Sequence, residues 1–178
     1  KVTSEIVNQS IGYINIPSMT GNVVEQFEKE YEQIETLPNL IIDLRQNSGG
    51  SSLKSEAILK TLINNPIKGC VSRTKIKPNK NSYKGNIFVL IGINTFSAAE
   101  SFVIDLSESK RAVLIGNSTA GDTGNRPKTF TTKHGFKYRI PQIKSPQISF
   151  GGFPMEGAGI KPDLKVDQTA TDYLKNVD

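Results

Sequence analysis

The apolar run Ile87-Phe88-Val89-Leu90-Ile91 gives way almost at once to Asn94-Thr95-Phe96-Ser97-Ala98-Ala99-Glu100 and then to a helical pattern. This strand, sharp turn and helix constrain the fold more than any other stretch. The helix is predicted from Ala99, Phe102, Val103 and Leu106, which recur at i, i+3, i+4 and i+7 and form one buried stripe. Ser97 falls on the turn itself, where its side chain projects clear of a sheet. The first free N–H groups of the helix then point at whatever that oxygen attacks. Serine is also a common helix N-cap, so the turn alone does not assign a role.

Two further segments are unusual. Leu40-Ile41-Ile42-Asp43-Leu44 reads as a buried parallel strand, and Arg45-Gln46-Asn47-Ser48-Gly49-Gly50 continues it as a charged, glycine-rich loop. Consecutive glycines allow positive φ and close approach, so the N–H groups of this loop are candidate donors to an oxyanion. Pro154-Met155-Glu156-Gly157-Ala158-Gly159-Ile160-Lys161-Pro162-Asp163 is a loop that sets one carboxylate among glycines.

The remaining pattern is a scaffold. Val23, Val24, Phe27, Tyr31 and Ile34 predict a helix from Asn22 to Leu37, and Ala57, Ile58 and Leu62 a second one ending near Asn64-Asn65-Pro66. Strands alternating with helices imply parallel pairing through crossovers. Beyond Gly124 the pattern changes to hairpin-like segments, Thr129 to Thr132 and Phe136 to Ile140, which predict a small antiparallel extension; a short helix is expected from Thr171.

A chain of 178 residues that is 36% hydrophobic suits a single domain with a sizeable core. One cysteine, Cys70, precludes an intrachain disulfide, and its place in the strand-like run Cys70-Val71-Ser72-Arg73-Thr74 predicts a buried structural thiol. No metal or cofactor is expected. No apolar stretch approaches 18 residues, so no membrane span is expected in this region. The net charge of +5 is spread over lysines such as Lys75, Lys77, Lys80 and Lys84, with only Tyr83 interleaved, a poor match to a nucleic-acid surface.

From Ile11 to Val166 the chain resembles the tail-specific, or C-terminal processing, serine peptidases. Ile11-Gly12-Tyr13-Ile14-Asn15-Ile16-Pro17 is similar to the family's opening strand, and Asp43 to Gly50 to its strand and glycine loop. Thr95 to Glu100 is similar to its nucleophile turn, Ala112 to Gly121 to the next strand and loop, and Glu156 to Asp163 to its closing motif. The resemblance implies a ClpP/crotonase-like α/β core with a mostly parallel sheet and flanking helices. It implies a polypeptide substrate, an extracytoplasmic location, Ser97 as nucleophile, and an oxyanion hole from Ala98 with Gly49 or Gly50.

One departure selects a branch. Where the processing peptidases carry a basic lysine, this chain has Asp122, within Thr119-Ala120-Gly121-Asp122-Thr123-Gly124. The loop is closer to the tricorn-like branch, whose base is a histidine supplied ahead of the core; the resemblance maps the carboxylate that orients it onto Glu156, and a buried carboxylate would fix the imidazole tautomer. The only histidine here is His134, at a predicted hairpin tip; it and Lys128 are weak local candidates for the base. With Lys1 rather than Met at its start, the chain is expected to be one peptidase core domain, 1–178, from a longer protein that carries the base and any PDZ domain elsewhere. The alternative is a non-catalytic relative that binds peptide or a small apolar ligand; a crotonase-type thioester enzyme is a more distant one.

Overall fold

A computed structural model describes residues 1–72, 74–122, 127–141, 149–150 and 153–175. In chain order the elements are β1 (Thr3–Asn8), β2 (Ile11–Asn15), α1 (Val23–Tyr31), β3 (Asn39–Asp43), α2 (Ser52–Leu62), β4 (Ile67–Lys68), β5 (Lys75–Ile76) and β6 (Asn86–Ile91). They continue as α3 (Ala98–Glu108), β7 (Ala112–Gly116), β8 (Pro127–Thr131), β9 (Lys137–Pro141), β10 (Ser149–Phe150), β11 (Phe153–Pro154), β12 (Leu164–Lys165) and α4 (Ala170–Leu174). The fold is mixed α/β around a six-stranded sheet of order β1-β2-β3-β6-β7-β12. Every pairing in it is parallel except that of β1 with β2.

Register explains the core. Ile14, Ile42, Val89 and Leu114 stand side by side across four strands, and all are fully buried. Phe27, Ile58, Leu59, Leu62, Phe102 and Val103 belong to the same apolar cluster, so this sheet face is the one the helices cover. The neighbouring row, with Ile41 beside Phe88, points to the other face and is only half-buried. The continuous apolar runs therefore predict the parallel strands correctly but overstate burial on their second face.

Several expectations need correction. The first helix stops at Tyr31 rather than Leu37; Ile34 and Leu37 bond back only three residues, to Tyr31 and Ile34. Pro38 disfavours helical backbone at Leu37 only, and between Tyr31 and Leu37 the chain runs in tight turns that still bury Ile34. Helix α3 is buried not on one stripe but at every position from Ala98 to Leu106. Cys70 lies in the connection between β4 and β5 rather than in a strand, and is half-buried; Arg73 of that run is outside the described residues. The edge strands β1 and β12 carry too little apolar patterning to be predicted. The hairpin β8–β9 and the short α4 stand close to their expected places.

Candidate active site

Because β3, β6 and β7 are parallel, the loops that leave their carboxyl ends gather on one edge of the sheet, where open α/β sheets place ligands. Two fully buried polar side chains fix these loops. Thr95 donates through Oγ1 to the Leu44 carbonyl at 2.8 Å and accepts from the Gly92 N–H at 3.0 Å. Asn47 donates through Nδ2 to the Ile16 carbonyl at 2.8 Å and accepts the Gly49 N–H on Oδ1 at 2.9 Å; its own carbonyl accepts the Phe96 N–H at 3.0 Å. Upstream, Asp43 accepts from the Tyr13 hydroxyl at 2.7 Å and from the Arg45 guanidinium at 2.7 Å, tying the start of the glycine loop to β2. Burial, and then the Asp43 carboxylate, push the Tyr13 phenol well above its ordinary range.

Ser97 is the N-cap of α3 and has φ 55° and ψ −115°, a backbone conformation that a residue with a Cβ adopts only under strain. Its N–H donates to Glu100 Oε2 at 2.8 Å. The glycine loop lies directly against it: a Cβ on Gly49 would stand 2.5 Å from the Phe96 carbonyl oxygen, 2.9 Å from Ser97 Cβ and 3.1 Å from the Ala98 nitrogen. Gly49 and Gly50 have φ of 84° and 141°. The structure thus brings Ser97, Ala98 and the Gly49-Gly50 loop together. It also separates the two glycines: the Gly49 N–H is taken by Asn47, whereas among the described residues no hydrogen bond uses the N–H of Gly50 or of Ala98.

Glu100 is the site residue that sequence reasoning passed over. It is fully buried. Beyond the Ser97 N–H it accepts the Thr119 hydroxyl at 2.7 Å, the Gly121 N–H at 2.7 Å and the Asp122 N–H at 3.1 Å. The signal was present as Ser97-x-x-Glu100, the spacing of a capping box. Thr119 extends the network, since its Oγ1 accepts the Ile160 N–H at 2.8 Å, and the Gly157 N–H donates to the Gly121 carbonyl at 2.7 Å. The closing loop is therefore joined to the Ser97 turn through residues 119–122; Thr123 and Gly124 lie outside the described residues. Glu156, at the tip of that loop, is exposed, so the buried carboxylate of this site is Glu100 and not Glu156.

His134 is exposed at the tip of the β8–β9 hairpin, where the Thr132 N–H bonds to the Phe136 carbonyl and the Gly135 N–H to the Thr132 carbonyl. Lys128 is exposed with its Nζ over the Phe130 ring, 5.4 Å from the centroid. The Cys70 thiol is pushed up out of the reactive range, first by burial and then by Asp105. Among the described residues no group of three or more His, Cys, Asp or Glu side chains could hold a metal ion, and no helix is long and apolar enough to cross a membrane.

Comparison with known proteins points the same way. The chain is 28% identical over 182 residues to the tricorn protease of Thermoplasma acidophilum, a match that takes in 95% of this chain and 16% of that protein. It is 29% identical over 131 residues to the tail-specific protease of Haemophilus influenzae, covering 68% of this chain and 19% of the relative. It therefore spans less than a fifth of these relatives' length. Among solved structures, mature CPAF superposes with a TM-score of 0.76 at 18% identity, over 94% of this chain and 49% of that one. The model of peptidase family S41 matches residues 10–166, so the chain belongs to that family.

Proposed function

We propose that this chain is the core of a serine endopeptidase in which Ser97 attacks the carbonyl of a polypeptide substrate. The observation that carries the reading is the strained Ser97 backbone at a strand–turn–helix junction, with the glycine loop packed against its Cβ. The Ser97 Oγ–carbon bond forms as the hydroxyl proton passes to a base. Collapse of the tetrahedral intermediate breaks the C–N bond, the leaving amine takes that proton, and water then hydrolyses the acyl-enzyme.

The N–H groups of Ala98 and Gly50 hold the oxyanion. Both are without an acceptor among the described residues, whereas Gly49 is engaged by Asn47 and acts by admitting the backbone. The base is a histidine from outside these 178 residues, oriented by Glu156, which lies exposed on the closing loop that residues 119–122 join to Ser97. The hairpin-tip position of His134 supports this over a local base. An extracytoplasmic site of action belongs to the same proposal and is checked by cell fractionation.

The test is a fluorophosphonate probe followed by peptide mapping, alongside turnover of an unfolded protein substrate. An adduct on Ser97, and loss of turnover in a folded Ser97→Ala variant, are expected. Undiminished turnover by that variant overturns the reading. Substrate binding without any adduct or turnover in the intact wild-type protein, the segment bearing the base included, indicates a non-catalytic relative instead.

A further inference from the structure

We infer that Glu100 is a positioning residue for the reaction, a buried carboxylate that holds Ser97 in its attacking conformation and locks it to the loops on either side. The inference rests on the assignment of Ser97 as nucleophile.

The hydrogen-bond count makes the case. A carboxylate has about four acceptor sites and, when ionised, no donor. Glu100 receives four donors: Ser97 N–H and Asp122 N–H on Oε2, Thr119 Oγ1–H and Gly121 N–H on Oε1. Among the described residues no cation pairs with it. An ordinary capping-box glutamate returns one bond to its N-cap and otherwise faces water. Glu100 has no exposure at all, and three of its four partners come from another loop.

Geometry shows what the arrangement controls. The Ser97 peptide must sit at φ 55° and ψ −115°, and its N–H is drawn inward by Glu100 Oε2. That contact pins the Phe96–Ser97 peptide at the strained turn, the backbone from which both the Ser97 side chain and the Ala98 N–H extend. Through Thr119 and Gly121 the same carboxylate fixes the loop that carries Ile160 and Gly157, the neighbour of Glu156. Nucleophile, oxyanion donor and closing loop therefore share one anchor, a carboxylate whose four donors do not include the Ser97 hydroxyl.

The test uses Glu100→Gln, which matches the side chain in shape but replaces one acceptor oxygen by an NH2 facing two donors. It is made in the intact protein and assayed on an unfolded protein substrate, with folding checked by circular dichroism and thermal melting. The expected result is a fall of about 100-fold in kcat, the scale of a small misplacement of reacting groups, with KM changed less than about threefold. Fluorophosphonate labelling of Ser97 slows in parallel. A purely structural role lowers the melting temperature and the folded fraction while the folded enzyme keeps its kcat; a folded Glu100→Gln variant with parental kcat overturns the inference.

If Glu100→Gln does not fold, Thr119→Val decides. It deletes one donor and leaves the carboxylate, and a fall of about tenfold in kcat at unchanged KM supports the inference, while unchanged kcat overturns it. Ser97→Ala runs beside both. Should that variant retain turnover, the nucleophile assignment fails and the positioning role with it; should it be inactive while Glu100→Gln is fully active, only the positioning role fails.

Discussion

Gly49 and Ser97 are in such close contact that a side chain on the first would collide with the second: the added Cβ would lie 2.9 Å from Ser97 Cβ and 2.5 Å from the Phe96 carbonyl oxygen. Neither obstacle is the far end of a flexible side chain, so the clash cannot be relieved by a rotamer change. The φ of 84° adds strain for any residue but glycine. Gly49→Ala is expected to destabilise the protein by roughly 1–3 kcal/mol. In the molecules that remain folded the glycine loop moves off Ser97, and if Ser97 is the nucleophile proposed above kcat falls by about 10²-fold or more, the loss typical of a missing oxyanion donor. Thermal melting and steady-state kinetics measure both; parental kcat in a folded Gly49→Ala protein refutes the packing argument.

Ser97 itself should show a conflict between stability and chemistry. At φ 55° and ψ −115° a glycine is unstrained, while serine or alanine is not. Ser97→Gly is expected to raise stability relative to Ser97→Ala by roughly 1 kcal/mol, the usual scale for relief of strain at a positive-φ position. Both variants lose turnover. Equal melting temperatures for the two would show that the turn is not strained in solution.

The parallel strands and the three site loops are legible in the sequence because each rests on local information: apolar runs for Ile87–Ile91 and Leu40–Leu44, paired glycines at 49 and 50, a hydroxyl before a helix at Ser97. The apolar spacing overruns helix α1 because it continues to Ile34, which is buried from a run of tight turns rather than from the helix. The least legible features depend on partners distant in the chain. Nothing local to Glu100 reveals that residues 119–122 will bond to it, and nothing local to Glu156 reveals that it is exposed. Edge strand β1 is held by pairing with β2 rather than by a buried face of its own.

The base and its orienting carboxylate can be separated experimentally. If the base comes from another segment, His134→Ala and Lys128→Ala change kcat of the intact protein less than about twofold, as for solvated surface groups, whereas Glu156→Gln lowers it by about 10²–10⁴-fold, up to the loss seen when an orienting carboxylate is removed from a serine triad. A collapse of activity in His134→Ala would place the base on the hairpin. An unchanged kcat in Glu156→Gln would remove the orienting role from that residue without touching the assignment of Ser97.

Asp105 sets a pH dependence that is independent of catalysis. It is buried on α3 and accepts the Cys70 N–H at 2.7 Å. Burial raises its pKa from 3.8 to about 6, with Glu56 and Glu108 adding to the rise and the Cys70 bond opposing it. The folded state therefore holds this proton more tightly than the unfolded chain. Its contribution is fully present below about pH 4 and is lost as pH rises through about 6, because between those values the folded state binds more protons than the unfolded one. A shift of about two units corresponds to roughly 3 kcal/mol at most. Asp105→Asn keeps the acceptor oxygen and removes the charge, so at pH 7.5 it should stabilise the protein by about 1–3 kcal/mol, or roughly 2–10 °C in Tm for a chain of this size. At pH 4 the gain should vanish. Melting curves of the two proteins across this range give the difference directly, and a difference that does not change with pH would show that Asp105 is not the group responsible.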